Sequence, residues 1–167
     1  MSNPPRQIVY VDTNVVIESV ATRCWAALVN RFDVRTVAEV RREAQSGRRQ
    51  GKGYVPLDAG QFDKNVRVFE VTDVELAAAT LRTPLLSRID AGERHLLAHM
   101  SALDKNSLPL TTGDRAALRA ACALGLDDRL RSLEELAHHC GQKPTVQEWF
   151  TRKWLSKVKT EYLLDAI

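Results

Sequence analysis

Five carboxylates stand where an apolar stretch gives way to a helix-like run. Asp12 follows Ile8-Val9-Tyr10-Val11, and Glu39 lies early in the run from Val37 to Ala44. Asp90 and Glu93 belong to Ile89-Asp90-Ala91-Gly92-Glu93, and Asp114 closes Leu110-Thr111-Thr112-Gly113-Asp114. Carboxylates gathered within about 4–6 Å repel and cannot all stay ionised without a cation among them. Oxygen-only donors of this kind suit Mg²⁺ or Mn²⁺. Zinc is poorly served, since His95 and His99, four apart on one helix, lack a third partner. Each acid also has a plain structural explanation. Asp12 and Asp114 suit helix N-caps, Glu39 suits a first helical turn, and Asp90 with Glu93 has the spacing of a capping box.

The elements that must position these groups follow from hydrophobic pattern. The β-branched run at Ile8–Val11 reads as a strand buried on both faces. From Val15 the chain reads as one helix carrying Trp25, Leu28 and Val29 and ending near Asn30-Arg31. Phe32–Arg35 reads as a connector, after which Thr36 caps a helix through Val37, Val40 and Ala44. Ser46–Gly53 holds three glycines and three cations and reads as an irregular basic loop. Residues 58–65 carry no assignable pattern. Val66–Val71 alternates like a strand, Asp73 caps a helix through Leu76 and Leu81, and Pro84 breaks it. A helix after Asp90 places Leu96, Leu97, Met100 and Leu103 on one face. Leu108–Thr112 is a short strand, Ala116–Leu124 a helix, and Arg129–Arg131 a last short strand. Ser132 and Glu135 form a capping box for a helix ending near Gly141. Strands alternating with helices, without hairpins, predict an α/β fold: a central parallel sheet flanked by helices on both faces. Such a sheet gathers the C-terminal ends of its strands along one edge, where the acids could meet.

Beyond Gly141, Pro144 and Thr145 start a separate helix in which Val146, Phe150, Trp154, Val158 and Tyr162 recur every fourth residue. The pattern fits a packing helix or a dimer contact, and less readily a grip on substrate. The chain thus divides into residues 7–141 and a helical extension, 142–167. At 167 residues and 44% hydrophobic it can bury a core. It contains no apolar run of the ~18–20 residues a membrane span needs. Three cysteines, Cys24, Cys122 and Cys140, fit reduced core thiols and a cytoplasmic location. A net charge of +3 does not diagnose a nucleic-acid binder.

The pieces resemble a family. Val11-Asp12-Thr13-Asn14-Val15, Glu39 within Thr36-Val37-Ala38-Glu39-Val40, Asp90-Ala91-Gly92-Glu93-Arg94 and Leu110-Thr111-Thr112-Gly113-Asp114 occur in the order seen in PIN-domain ribonucleases. Leu126–Leu136 is similar to the family's closing strand and helix. The likeness is nearest to VapC-type toxins and covers residues 7 to 141. The segment 45–65 is longer and more basic than in compact members, and the final helix lies beyond their usual end.

The resemblance implies a PIN-like α/β domain and metal-dependent hydrolysis of RNA phosphodiester bonds, leaving a 5′-phosphate. It implies one or two Mg²⁺ or Mn²⁺ ions held by Asp12, Glu39, Glu93 and Asp114. Thr13, Asn14, Asp90 and Thr112 would orient those acids. Arg48, Arg49 and Lys52, with Arg115 beside Asp114, would contact the substrate backbone. Partners would be RNA, a cognate antitoxin protein and a second copy of the chain, with no membrane. Two other readings share the residues: a PIN-like binding or assembly module with little catalysis, and a DNA-directed nuclease.

Overall fold

Two buried apolar clusters, one on each side of a parallel sheet, organise the chain. The computed structural model describes residues 5–46, 58–103 and 108–167. Strand β1 (Gln7–Val11) lies between β2 (Phe32–Val37) and β4 (Leu110–Thr111), and β3 (Val66–Phe69) pairs with the far side of β2. All pairings are parallel, so the predicted α/β architecture is what the structure shows. Alternation along β1 sends Val9 and Val11 into one cluster and Ile8 and Tyr10 toward the other.

On the Val9/Val11 side pack α1 (Thr13–Ala21), α2 (Trp25–Arg31), α4 (Ala59–Asn65) and α8 (Leu133–His139) through Val15, Val16, Leu28, Phe62 and Leu133. The opposite side holds α3 (Ala38–Ser46), α5 (Asp73–Arg82), α6 (Ala91–Ala102), α7 (Arg115–Ala123) and α9 (Arg152–Asp165) through Val40, Ala79, Leu96, Leu97, Leu118 and Val158. No described helix is long and apolar enough to cross a membrane. The cysteines are free, Cys24 buried and the other two half-buried.

Several local expectations are corrected. The single helix from Val15 is two helices. Thr22 closes α1 by donating its hydroxyl to the Glu18 carbonyl, 2.8 Å, and Arg23 turns the chain at φ 62°. The expected connector at 32–35 is strand β2. Its polar members are satisfied within the sheet, where Arg35 pairs with Asp33 at 2.8 Å. Thr36 is therefore not a cap; its hydroxyl donates to the Val11 carbonyl at 2.7 Å. The unassigned stretch 58–65 holds α4, which starts at Ala59 and is capped by the Asp58 carboxylate. The cap of α5 is Thr72, not Asp73, in a capping box with Glu75. After Pro84 comes a 3₁₀ turn, Pro84–Arg88. The strand expected at 66–71 ends at Phe69, and the one at 108–112 shortens to Leu110–Thr111. At 129–131 there is a single bridge, Leu130 to Leu110, after a 3₁₀ turn at Asp127–Arg129. The capping box of Ser132 and Glu135 is present as predicted.

The C-terminal pattern also resolves differently. Residues 142–147 are irregular, Glu148–Phe150 is a 3₁₀ turn, and Thr151 caps α9 by accepting from the Trp154 amide at 3.2 Å. Val146 and Phe150 pack into the Val9/Val11 cluster, whereas Trp154, Leu155 and Val158 pack into the Tyr10 cluster. The fourfold repeat therefore marks two cores met in succession, not one helix face.

Candidate functional site

After β3, on the β2 side of β1, the chain crosses to β4 on the other side, so the sheet's switch point lies between the C-terminal ends of β1 and β4. Crevices at such points are where open α/β sheets place ligands. Asp12 ends β1 there and N-caps α1, and Asp114 follows β4 and N-caps α7. Each carboxylate uses Oδ1 as a cap, Asp12 accepting from the Val15 amide and Asp114 from the Ala117 amide, both at 2.8 Å. The cap explanation is thus correct for both, yet it occupies only half of each carboxylate. Asp12 is fully buried, and its Oδ2 has no hydrogen-bond partner. Burial raises its pKa to about 6; the nearby Thr112 hydroxyl and the Val15 and Gly113 amides pull it back, and the Asp114 charge pushes it further up.

Glu93 lies in the first turn of α6 and is buried. Burial first, then the charges of Asp12, Asp114 and Asp90, push its pKa up to about 9. Glu93 is therefore within electrostatic reach of the other three, and Asp12 of Asp114. Asp90 is exposed at the start of α6, and its side chain makes no capping bond. The full capping box expected of Asp90 and Glu93 does not form: the Asp90 side chain caps nothing, while the Asp90 amide partly offsets the rise at Glu93. Thr112 accepts from the Asp114 amide through its hydroxyl at 3.2 Å, which ties the turn after β4.

The second helix of the acidic set behaves otherwise. Glu39 forms an ion pair with Arg42. One turn on, Glu43 reaches the site's framework: Oε2 accepts from the Thr13 hydroxyl at 3.0 Å and Oε1 from the Gly92 amide at 2.9 Å. A side chain at Gly92 would collide with this carboxylate, so the glycine allows α3 to approach the start of α6. Glu43 thus joins α3 to the residue after Asp12 and to the residue before Glu93. Helical spacing alone could not distinguish it from Glu39, because each directly precedes a buried residue, Val40 or Ala44.

No protein-family model and no curated protein matches this chain.

An open cleft beside the acids is lined by Asn14, Gly113, Asp114, Arg115, Trp149 and Trp154. Asn14 is exposed at its edge, and Arg115 is ion-paired with Glu161 of α9. The C-terminal segment is held here by two contacts that sequence pattern does not reveal. Buried Glu18 accepts from the Gln147 amide at 2.9 Å, and the Phe150 ring lies so close to Gly113 that a Cβ there would overlap it. Arg48, Arg49 and Lys52 lie outside the described residues.

The donor set suits a hard divalent cation: carboxylate oxygens alone, one of them buried and without a partner. Among the described residues, no three or more acidic, histidine or cysteine side chains stand at the mutual spacing of a preformed ion site.

Proposed function

We propose that this chain is a Mg²⁺- or Mn²⁺-dependent nuclease that hydrolyses RNA phosphodiester bonds, as its resemblance to PIN-domain ribonucleases implies. The observation that carries the reading is the mutual electrostatic stress of Asp12, Glu93 and Asp114 at the sheet's switch point, with Asp12 Oδ2 buried and unpartnered. A set like this is costly to keep unless a cation compensates it.

Asp12, Glu93 and Asp114 would hold the ion, with Asp90 at the exposed rim. The chemistry such an ion supplies is activation of water and neutralisation of charge on the phosphate. The residues do the rest. Val15 and Ala117 amides fix the two aspartates by their Oδ1 atoms, leaving the other oxygens for the ligand. With its pKa raised to about 9, Glu93 would hold its proton in the ion-free site at neutral pH, and a bound cation would favour its carboxylate form. Glu43 positions Thr13 and the Gly92 backbone, and so the acids adjoining them, by two hydrogen bonds. The likeness to VapC-type toxins extends the reading to a toxin restrained by a cognate antitoxin protein.

The test is cleavage of RNA and DNA of matched sequence with Mn²⁺, with Mg²⁺ and with EDTA. RNA cleavage that EDTA abolishes, and that Asp12→Asn or Asp114→Asn reduces below detection, is the expected result. Undiminished cleavage by a folded Asp12→Asn/Asp114→Asn protein would overturn the reading, and preference for DNA would move the substrate assignment.

A further inference from the structure

Two depressions meet at one side chain. The cleft beside Asp114 and a larger one flanked by Lys153 and Lys157 both have Trp154 in their walls. The first depression holds Asp114 and Trp149, the second holds two cations one helical turn apart on α9, and Trp154 belongs to both. Trp149 is 45% exposed although it is among the largest apolar side chains in the protein, and Trp154 is half-buried. Trp149 does not close the core as Phe150 does, lying 3% exposed beneath Gly113, whereas Trp154 rests one side of its ring against the Tyr10 cluster. Glu134 and Glu148 share the wall of the second depression, and Glu134 is engaged by the Arg152 amide at 2.8 Å.

Exposed aromatic faces interleaved with cations are the recurring means of holding single-stranded nucleic acid. Bases stack on the rings while Lys or Arg meets the phosphates, and a paired base, already stacked on its neighbours, has no free face to offer. We infer that Trp149 and Trp154 form a stacking platform that seats an unpaired nucleobase beside the acidic site, with Lys153 and Lys157 meeting the adjoining backbone. This rests on the nuclease reading above and adds the surface that would hold the strand, built from the segment beyond Gly141. The C-terminal segment is then part of the substrate site, held there by Glu18 and by Phe150.

The experiment uses the full chain carrying Asp12→Asn, with Mg²⁺, and a single-stranded oligoribonucleotide of about eight residues. Its counterpart of equal length lacking bases and a duplex of the same sequence serve as the other probes. Binding is read by quenching of tryptophan fluorescence, with Trp25→Phe present to remove the third indole. Trp149→Ala should weaken binding of the single strand about tenfold, the scale of one lost stacking contact. The base-free strand and the duplex should bind both proteins alike. Trp154→Phe, which keeps a ring against the core, should retain most of the affinity, and Trp149→Phe likewise. Cleavage of the single strand by the unaltered chain, together with unchanged binding by Trp149→Ala, would overturn the platform and leave the nuclease reading standing. Neither cleavage nor binding by the unaltered chain would overturn both.

Discussion

Glu93 is charged in the unfolded chain above about pH 4.5 but keeps its proton in the folded, ion-free protein up to about pH 9. Between those values the folded state binds more protons than the unfolded state, so stability must fall as pH rises. Asp12 adds the same sign between about 3.8 and 6. In EDTA the melting temperature should therefore decline from pH 5 to pH 9. Glu93→Gln, which removes the titrating group, should melt higher than wild type at pH 8.5, by about 5 °C or more. Mg²⁺ or Mn²⁺ should raise the melting temperature of wild type and do little for the variant. A wild-type melting temperature that climbs with pH in EDTA would mean that the acids are not coupled as described. The participants are partly legible in the sequence. Asp12 and Asp114 stand out because each follows an apolar strand, and Glu93 because Gly92 precedes it. Glu43 does not stand out, because its importance depends on which turn of α3 faces α1 and α6, a matter of tertiary packing.

Among the elements, the junction of α1, α3 and α6 turns on one carboxylate and one glycine. Gly92→Ala would push a methyl group against the Glu43 carboxylate, which would swing aside and lose its bonds to Thr13 and the Gly92 amide, costing about 1 kcal/mol. Shortening the partner makes room, so Gly92→Ala should be much less harmful in a Glu43→Ala background. The two changes should show a coupling of about 1 kcal/mol in a urea-denaturation cycle. Additive effects would place the strain elsewhere. Element identity is readable where pattern and chemistry agree, as in β1 and in the Ser132–Glu135 box. It fails at β2, where Asp33 and Arg35 look like loop residues until Arg35 is seen to neutralise Asp33 within the sheet. It also fails at Thr22–Cys24, where Arg23 takes a left-handed turn that a glycine would have announced.

For the molecule as a whole, the extension beyond Gly141 is packed into both apolar clusters. Burial of Phe150, Leu155 and Val158 is worth on the order of 5 kcal/mol, comparable with the entire stability of many domains. A chain ending at residue 141 should lose cooperative unfolding. Phe150→Ala in the full chain should cost about 3–5 kcal/mol, read from the urea midpoint. A truncated chain that unfolds like the full one would make the segment a mere appendage. The extension is visible in the sequence as a periodic stretch, but its division between two cores is not, because a repeat of four carries no record of which surface each residue meets. One contact has a further bearing on the life of the protein. Glu18 and the Gln147 amide lie 129 residues apart, and β1 pairs with a fourth strand made long after it. Contacts of such separation form late and at a cost in chain entropy. On a ribosome adding about 5–20 residues per second, Asp12 emerges many seconds before its partners, and the wall of the cleft follows later still. The nascent chain therefore carries the acids as isolated, solvated residues, and under the nuclease reading proposed above the site would be assembled only after the whole chain has been made.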